Sequence, residues 1–160
     1  YWQELASTTL SSDSSSSGST SSPQMQTGDF TAKKYLFVEM YLKSSTDPET
    51  VFNTDTGNNY AWRYNDDGGS DTSVTQSSAG WHYGGNEMKI TLFVFNQSNK
   101  EKLYFGDIVY SGGTGSGTAP TRRELAGKWA NTSAQITNIK SYKTSMTTSA
   151  GSFIKVYGAD

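Results

Sequence analysis

Hydrophobic alternation with a period of two residues recurs wherever the apolar residues of this chain cluster, and it constrains the fold more than any other feature. In residues 33–43, Leu36, Val38, Met40 and Leu42 fall on one side, and Tyr35, Phe37, Glu39 and Tyr41 on the other. Successive side chains of an extended strand point to opposite faces, so this is a strand with one dry face and one aromatic, partly wet face. The same pattern sets Met88, Ile90, Leu92 and Val94 against Lys89, Thr91, Phe93 and Phe95, and Ile154 and Val156 against Phe153, Lys155 and Tyr157. Shorter candidate strands are 3–10, 50–53, 59–64, 72–76, 102–110, 121–129 and 134–143. In 121–129, Arg122, Arg123 and Glu124 before Leu125 and Ala126 allow a helix, but Gly127 would weaken it by about 1 kcal/mol, and a strand is favoured. Short strands punctuated by Gly, Ser, Asn and Asp predict an all-β protein: a jelly-roll-like antiparallel β-sandwich of about 8–10 strands.

A chain of 160 residues suits one domain, 1–160, around one core. Aliphatic residues are few, but aromatics make up 13% of the chain and the net charge is only -2, so Tyr and Trp supply the missing burial and disorder is not expected. The stretch 11–22, almost pure Ser with Asp13, Gly18 and Thr20, is expected to form a flexible surface loop. The stretch 111–120, reading SGGTGSGTAP, is a second loop; it lacks the Gly-Lys-Ser/Thr ending of a phosphate cradle.

Composition removes several kinds of chemistry. Without Cys there is no disulfide framework, thiol nucleophile or thiolate metal site. A nucleic-acid partner calls for a basic surface, whereas this chain is slightly acidic and shows no basic stripe. The apolar runs at 35–41 and 90–95 fall well short of the about 20 residues that span a bilayer, and no signal peptide is visible. The single His82 has no Gly-x-Ser-x-Gly elbow to serve, so a catalytic triad is disfavoured. The carboxylates Glu4, Glu39, Glu49, Asp55, Glu87, Glu101, Asp107 and Glu124 read as a solvated face rather than a glycosidase pair. No catalytic residue is expected.

Three clusters stand out as contact candidates. Tyr60, Trp62 and Tyr64 share one face of a strand, a platform for sugars or partner side chains if exposed and plain core if covered. Trp81, His82 and Tyr83 form a glycine-flanked aromatic group, read first as an ordinary loop tip and second as a contact for a partner or glycan. Asp66, Asp67 and Asp71 offer oxygen ligands for Ca2+, the one cofactor candidate, although a hairpin loop turning at Asp67-Gly68 is favoured.

The order of YWQELASTTL, FTAKKYL, FNTDTGNNYAWRY followed by NDDGG, EKLYFGDIV, APTRRELAGKWANTSAQITNI and AGSFIKVYGAD resembles a family of uncharacterised virion structural proteins, head decoration or fibre, of environmental tailed bacteriophages. The resemblance covers most of the chain, departing from the family at 11–22 and around Trp81. It implies a jelly-roll-like module on the virion surface, assembled in the host cytoplasm and repeated by symmetry on a capsid or tail fibre. Other copies of itself, in a trimer, and other virion proteins are the expected partners. The family carries no catalytic residue to transfer. The alternative is carbohydrate binding: a lectin-like module that reads cell-surface glycans through the aromatic clusters.

Overall fold

The computed structural model describes residues 1–80, 85 and 87–160. Its strands are β1 (Gln3–Thr9), β2 (Met25–Gln26), β3 (Tyr35–Lys43), β4 (Glu49–Phe52), β5 (Tyr60–Asp66), β6 (Thr72–Gln76), β7 (Glu87–Phe95), β8 (Lys102–Tyr110), β9 (Thr121–Trp129), β10 (Ile139–Tyr142) and β11 (Phe153–Ala159). Eight form one antiparallel sheet in the order β1-β11-β3-β7-β8-β9-β5-β6, and three form a second in the order β2-β10-β4. The all-β antiparallel sandwich expected from the alternation is present, with unequal layers.

The alternation decides which face is dry. Leu36, Val38, Met40 and Leu42 of β3 pair across to Val94, Leu92, Ile90 and Met88 of β7, and all eight are buried. Ile154 and Val156 of β11 continue the layer beside Met40 and Val38. Each such side chain contributes about 1.5–3 kcal/mol when withdrawn from water, and a slip of one residue would turn every one of them outward. The small sheet closes over this face. Phe52 of β4 reaches across to Tyr60, Tyr104 and Trp129, with ring centroids 5.9, 5.8 and 6.0 Å away. One continuous core joins the two layers.

Two segments behave differently from the sequence expectation. The strand expected over 134–143 is confined to Ile139–Tyr142, because side chains rather than a neighbouring strand satisfy the backbone before it. Asn96 accepts from Ile136 N at 2.6 Å, and Asn53 accepts from Thr137 N at 2.8 Å and Asn138 N at 3.1 Å. The Ser-rich segment, expected as a flexible surface loop, runs along the chain at 143–150. Ser14 and Thr148 exchange backbone hydrogen bonds at 2.8 and 2.9 Å, Asp13 accepts from Ala150 N at 2.8 Å, and Gly18 at φ +71° lies against the Lys143 carbonyl, leaving no room for a Cβ. Hydrogen bonds to hydroxyl-rich backbone replace the apolar burial that this composition lacks.

Candidate functional site

An antiparallel sheet with one solvated face normally alternates apolar-in and polar-out. The outer face of the large sheet departs from that rule. Tyr157, Phe37, Phe93 and Phe105 lie side by side in register across β11, β3, β7 and β8. Their ring centroids are 6.0, 5.0 and 5.6 Å apart in that order, the spacing of directly interacting aromatic pairs. Beside this row, Tyr35 and Phe95 make a second ring pair at 5.8 Å, with Leu103 continuing it on β8. Trp2 packs edge-on to Phe37 from the N-terminal end.

Phe37, Phe95 and Tyr157 are half-buried, and the others are open to solvent. Phe105 is 61% exposed, Leu103 53%, Trp2 45% and Phe93 42%. Between them runs a shallow apolar trough of about 610 Å³, extending from Trp2 past Phe93 and Phe105 to Ala126. Scattered apolar exposure is ordinary, but a contiguous aromatic band on one face marks an interaction surface.

A charged row borders the band. Lys155, Glu39, Thr91, Asp107, Glu124 and Asn65 follow one another across β11, β3, β7, β8, β9 and β5. Glu39 pairs with Lys89 at 2.8 Å, and Glu124 lies 3.7 Å from Arg122 and accepts from Asn65 at 3.4 Å. Asp107 has no ion pair or hydrogen bond among the described residues, and the Lys155 ammonium lies over its own Phe153 ring at 5.3 Å without a carboxylate partner there. A smaller trough of about 370 Å³ opens where this row meets Phe93 and Phe105.

The contact candidates read from sequence are distributed differently. Tyr60, Trp62 and Tyr64 do share a face, but it is the inner one: Tyr60 is fully buried and Trp62 is 7% exposed, so neither is available as a platform. The Tyr60 hydroxyl accepts from Phe52 N at 3.0 Å and donates to Asp55 O at 3.1 Å, and burial raises its pKa well above the usual phenol value. Tyr64 is half-buried, with the Arg123 guanidinium 3.8 Å over its ring. Trp81, His82 and Tyr83 lie outside the described residues.

The acidic loop does not converge. Asp66 holds Arg123 in a two-pronged pair at 2.8 Å on each prong, Asp67 accepts from Arg122 N at 2.9 Å, and Asp71 pairs with Arg63 at 3.2 Å. Among the described residues no group of three or more His, Cys, Asp or Glu side chains could hold a metal ion. The loop is a hairpin stapled by cations, turning at Asp67 and Gly68 with φ +53° and +77°.

No protein-family model and no curated protein matches the chain. No helix among the described residues is long and apolar enough to cross a membrane. The aromatic band therefore carries the functional reading. Phe37, Phe93 and Tyr157 were visible in the sequence as one side of alternating strands, but Phe105 and Leu103 were assigned to no face, and nothing there said that these rings would adjoin rather than lie on separate surfaces.

Proposed function

We propose that this chain is a non-catalytic virion structural module, displayed on a phage-like particle as a capsid decoration or fibre domain and acting by protein-protein packing. The contiguous four-ring row Tyr157–Phe37–Phe93–Phe105, with Phe93 and Phe105 exposed and Phe37 and Tyr157 half-buried, is the observation that supports packing as its mode of action. A sheet that needed only to stay folded in water would present polar side chains there, because each exposed ring forgoes hydration that a polar residue would keep. The particle assignment rests on the motif order in the sequence. Density-gradient-purified particles from the source sample should contain the chain by mass spectrometry and immunogold labelling; its confinement to the unassembled soluble fraction would refute the assignment.

A carbohydrate-binding reading has one observation in its favour. Phe93 and Phe105, stacked with an interplanar angle of 23°, adjoin Asp107, Glu124 and Arg63 around the smaller trough, so ring faces and hydrogen-bonding groups meet as a sugar would require. A glycan array comparing the wild type with Phe105→Ala tests it. Binding that vanishes on this substitution supports recognition by the outer face; no binding to any glycan removes the reading.

A further inference from the structure

We infer that the outer face of the eight-stranded sheet is a two-fold interface with a second copy of this chain, with the axis parallel to the strands and between β3 and β7. The inference rests on the packing function proposed above and names the partner of that face.

Such an axis exchanges β3 with β7, β11 with β8 and β1 with β9, and leaves each cross-strand row at its own level. In the aromatic row, Tyr157 then faces Phe105 of the second copy and Phe37 faces Phe93, so all four rings are covered by rings. In the neighbouring row Lys155 faces Asp107 of the second copy, and Glu39 faces the neutral Thr91. Lys155 and Asp107 are the two charges of this row that form no ion pair among the described residues of their own chain, although Lys155 stands across from Glu39, which is held by Lys89. Asp107 also stands directly opposite Glu124, a like-charge pairing that destabilises a sheet and that a cation from outside would relieve.

The charges also select the axis. Placed on β3, the axis would set Glu39 against Glu39; placed on β7, it would set Glu39 against Asp107. Of these three positions, only the one between the strands pairs opposite charges without opposing like ones; an axis between β11 and β3 would also set Lys155 against Glu39, but it overlaps four strands rather than six and leaves Phe105 uncovered. The six strands that overlap, about 4.8 Å apart and about 24–30 Å long, offer on the order of 800 Å² per copy, close to the roughly 800 Å² per partner of a stable association. Packed sheets cross at about 30°, so contacts are closest near the middle of the strands, where the Glu39–Thr91 row lies with the Phe37–Phe93 row next to it.

Light scattering and sedimentation of the full chain from about 1 to about 100 µM test the inference. The expected mass is twice 17.4 kDa. Lys155→Asp and Asp107→Lys should each weaken the dimer by about tenfold or more, and the two together should restore it. Phe105→Ser, at an exposed position, should abolish dimerisation while leaving the melting temperature of the monomer within about 2 °C of wild type. A wild-type monomer at every concentration, with or without glycan binding, a trimer, a dimer indifferent to Phe105→Ser, or a charge swap that fails to restore association would each overturn it. A dimer that behaves as described but never occurs on particles would refute the virion assignment alone.

Discussion

The indole Nε1 of Trp129 donates to a carboxylate oxygen of Asp55 at 2.7 Å, tying the deepest ring cluster of the core to the turn at its rim. Asp55 also accepts from Gly57 N at 2.8 Å and from Asn59 Nδ2 at 3.0 Å. Burial pushes its pKa up, but the bonds from Trp129, Asn59 and Gly57 outweigh burial and hold it below the usual value. A carboxyl depressed in the folded state stabilises fully above its unfolded pKa of about 3.9, and that contribution is lost as pH falls through the folded value. Asp55→Ala should cost about 1–3 kcal/mol at neutral pH by leaving the buried indole N–H without its acceptor. Asp55→Asn, which keeps an acceptor, should cost less and flatten the acid limb in urea denaturation at neutral and acid pH.

Asn96 substitutes for a strand. Its buried side chain donates to Lys33 O at 3.0 Å and Ile136 O at 3.1 Å and accepts from Ile136 N at 2.6 Å. Asn96→Ala should destabilise by about 2–4 kcal/mol in chemical denaturation, since three backbone groups lose their partner at once. Asn96→Asp should be at least as damaging at neutral pH, where a carboxylate faces two carbonyl oxygens, and should recover partly in acid.

Gly106 is required by close packing rather than by a turn. A Cβ there would collide with the Thr91 carbonyl oxygen in the neighbouring strand and press on Leu92. Gly106→Ala should lower stability by about 1–3 kcal/mol. Gly117→Ala, in open space within the second Gly-rich loop, should change it by less than about 0.5 kcal/mol, and thermal melts of the two variants separate the cases.

The Asp66–Arg123 pair staples the acidic hairpin. The Arg123 side chain is 6% exposed and stacks on Tyr64, so Asp66→Ala removes a two-pronged carboxylate from a nearly buried cation and should cost about 2–4 kcal/mol. Because the three aspartates are each engaged separately, added Ca2+ or chelator should move the wild-type melting temperature by less than about 1 °C. A saturable Ca2+-dependent rise in calorimetry would contradict this arrangement.

The faces of β3, β7 and β11 were legible because their buried positions follow from a strict period of two, and Gly127 correctly weighed against a helix at β9. The platform of Tyr60, Trp62 and Tyr64 was legible as a shared face but not as an inner one, since rings suit core and contact surfaces equally. The truncation of the strand expected over 134–143 had no local signal: Asn53 and Asn96 lie far away in sequence, and only folding brings their amides to that backbone.

Local chemistry thus settled the extended conformation and the dry side of each long strand, which depend on neighbours one or two residues apart, and composition alone excluded thiol chemistry. Strand order was decided only in three dimensions. Alternation assigns a side chain to a face without saying which strand lies beside it, and it is the order β11-β3-β7-β8 that gathers Tyr157, Phe37, Phe93 and Phe105 into one surface and leaves Lys155 and Asp107 at its opposite ends.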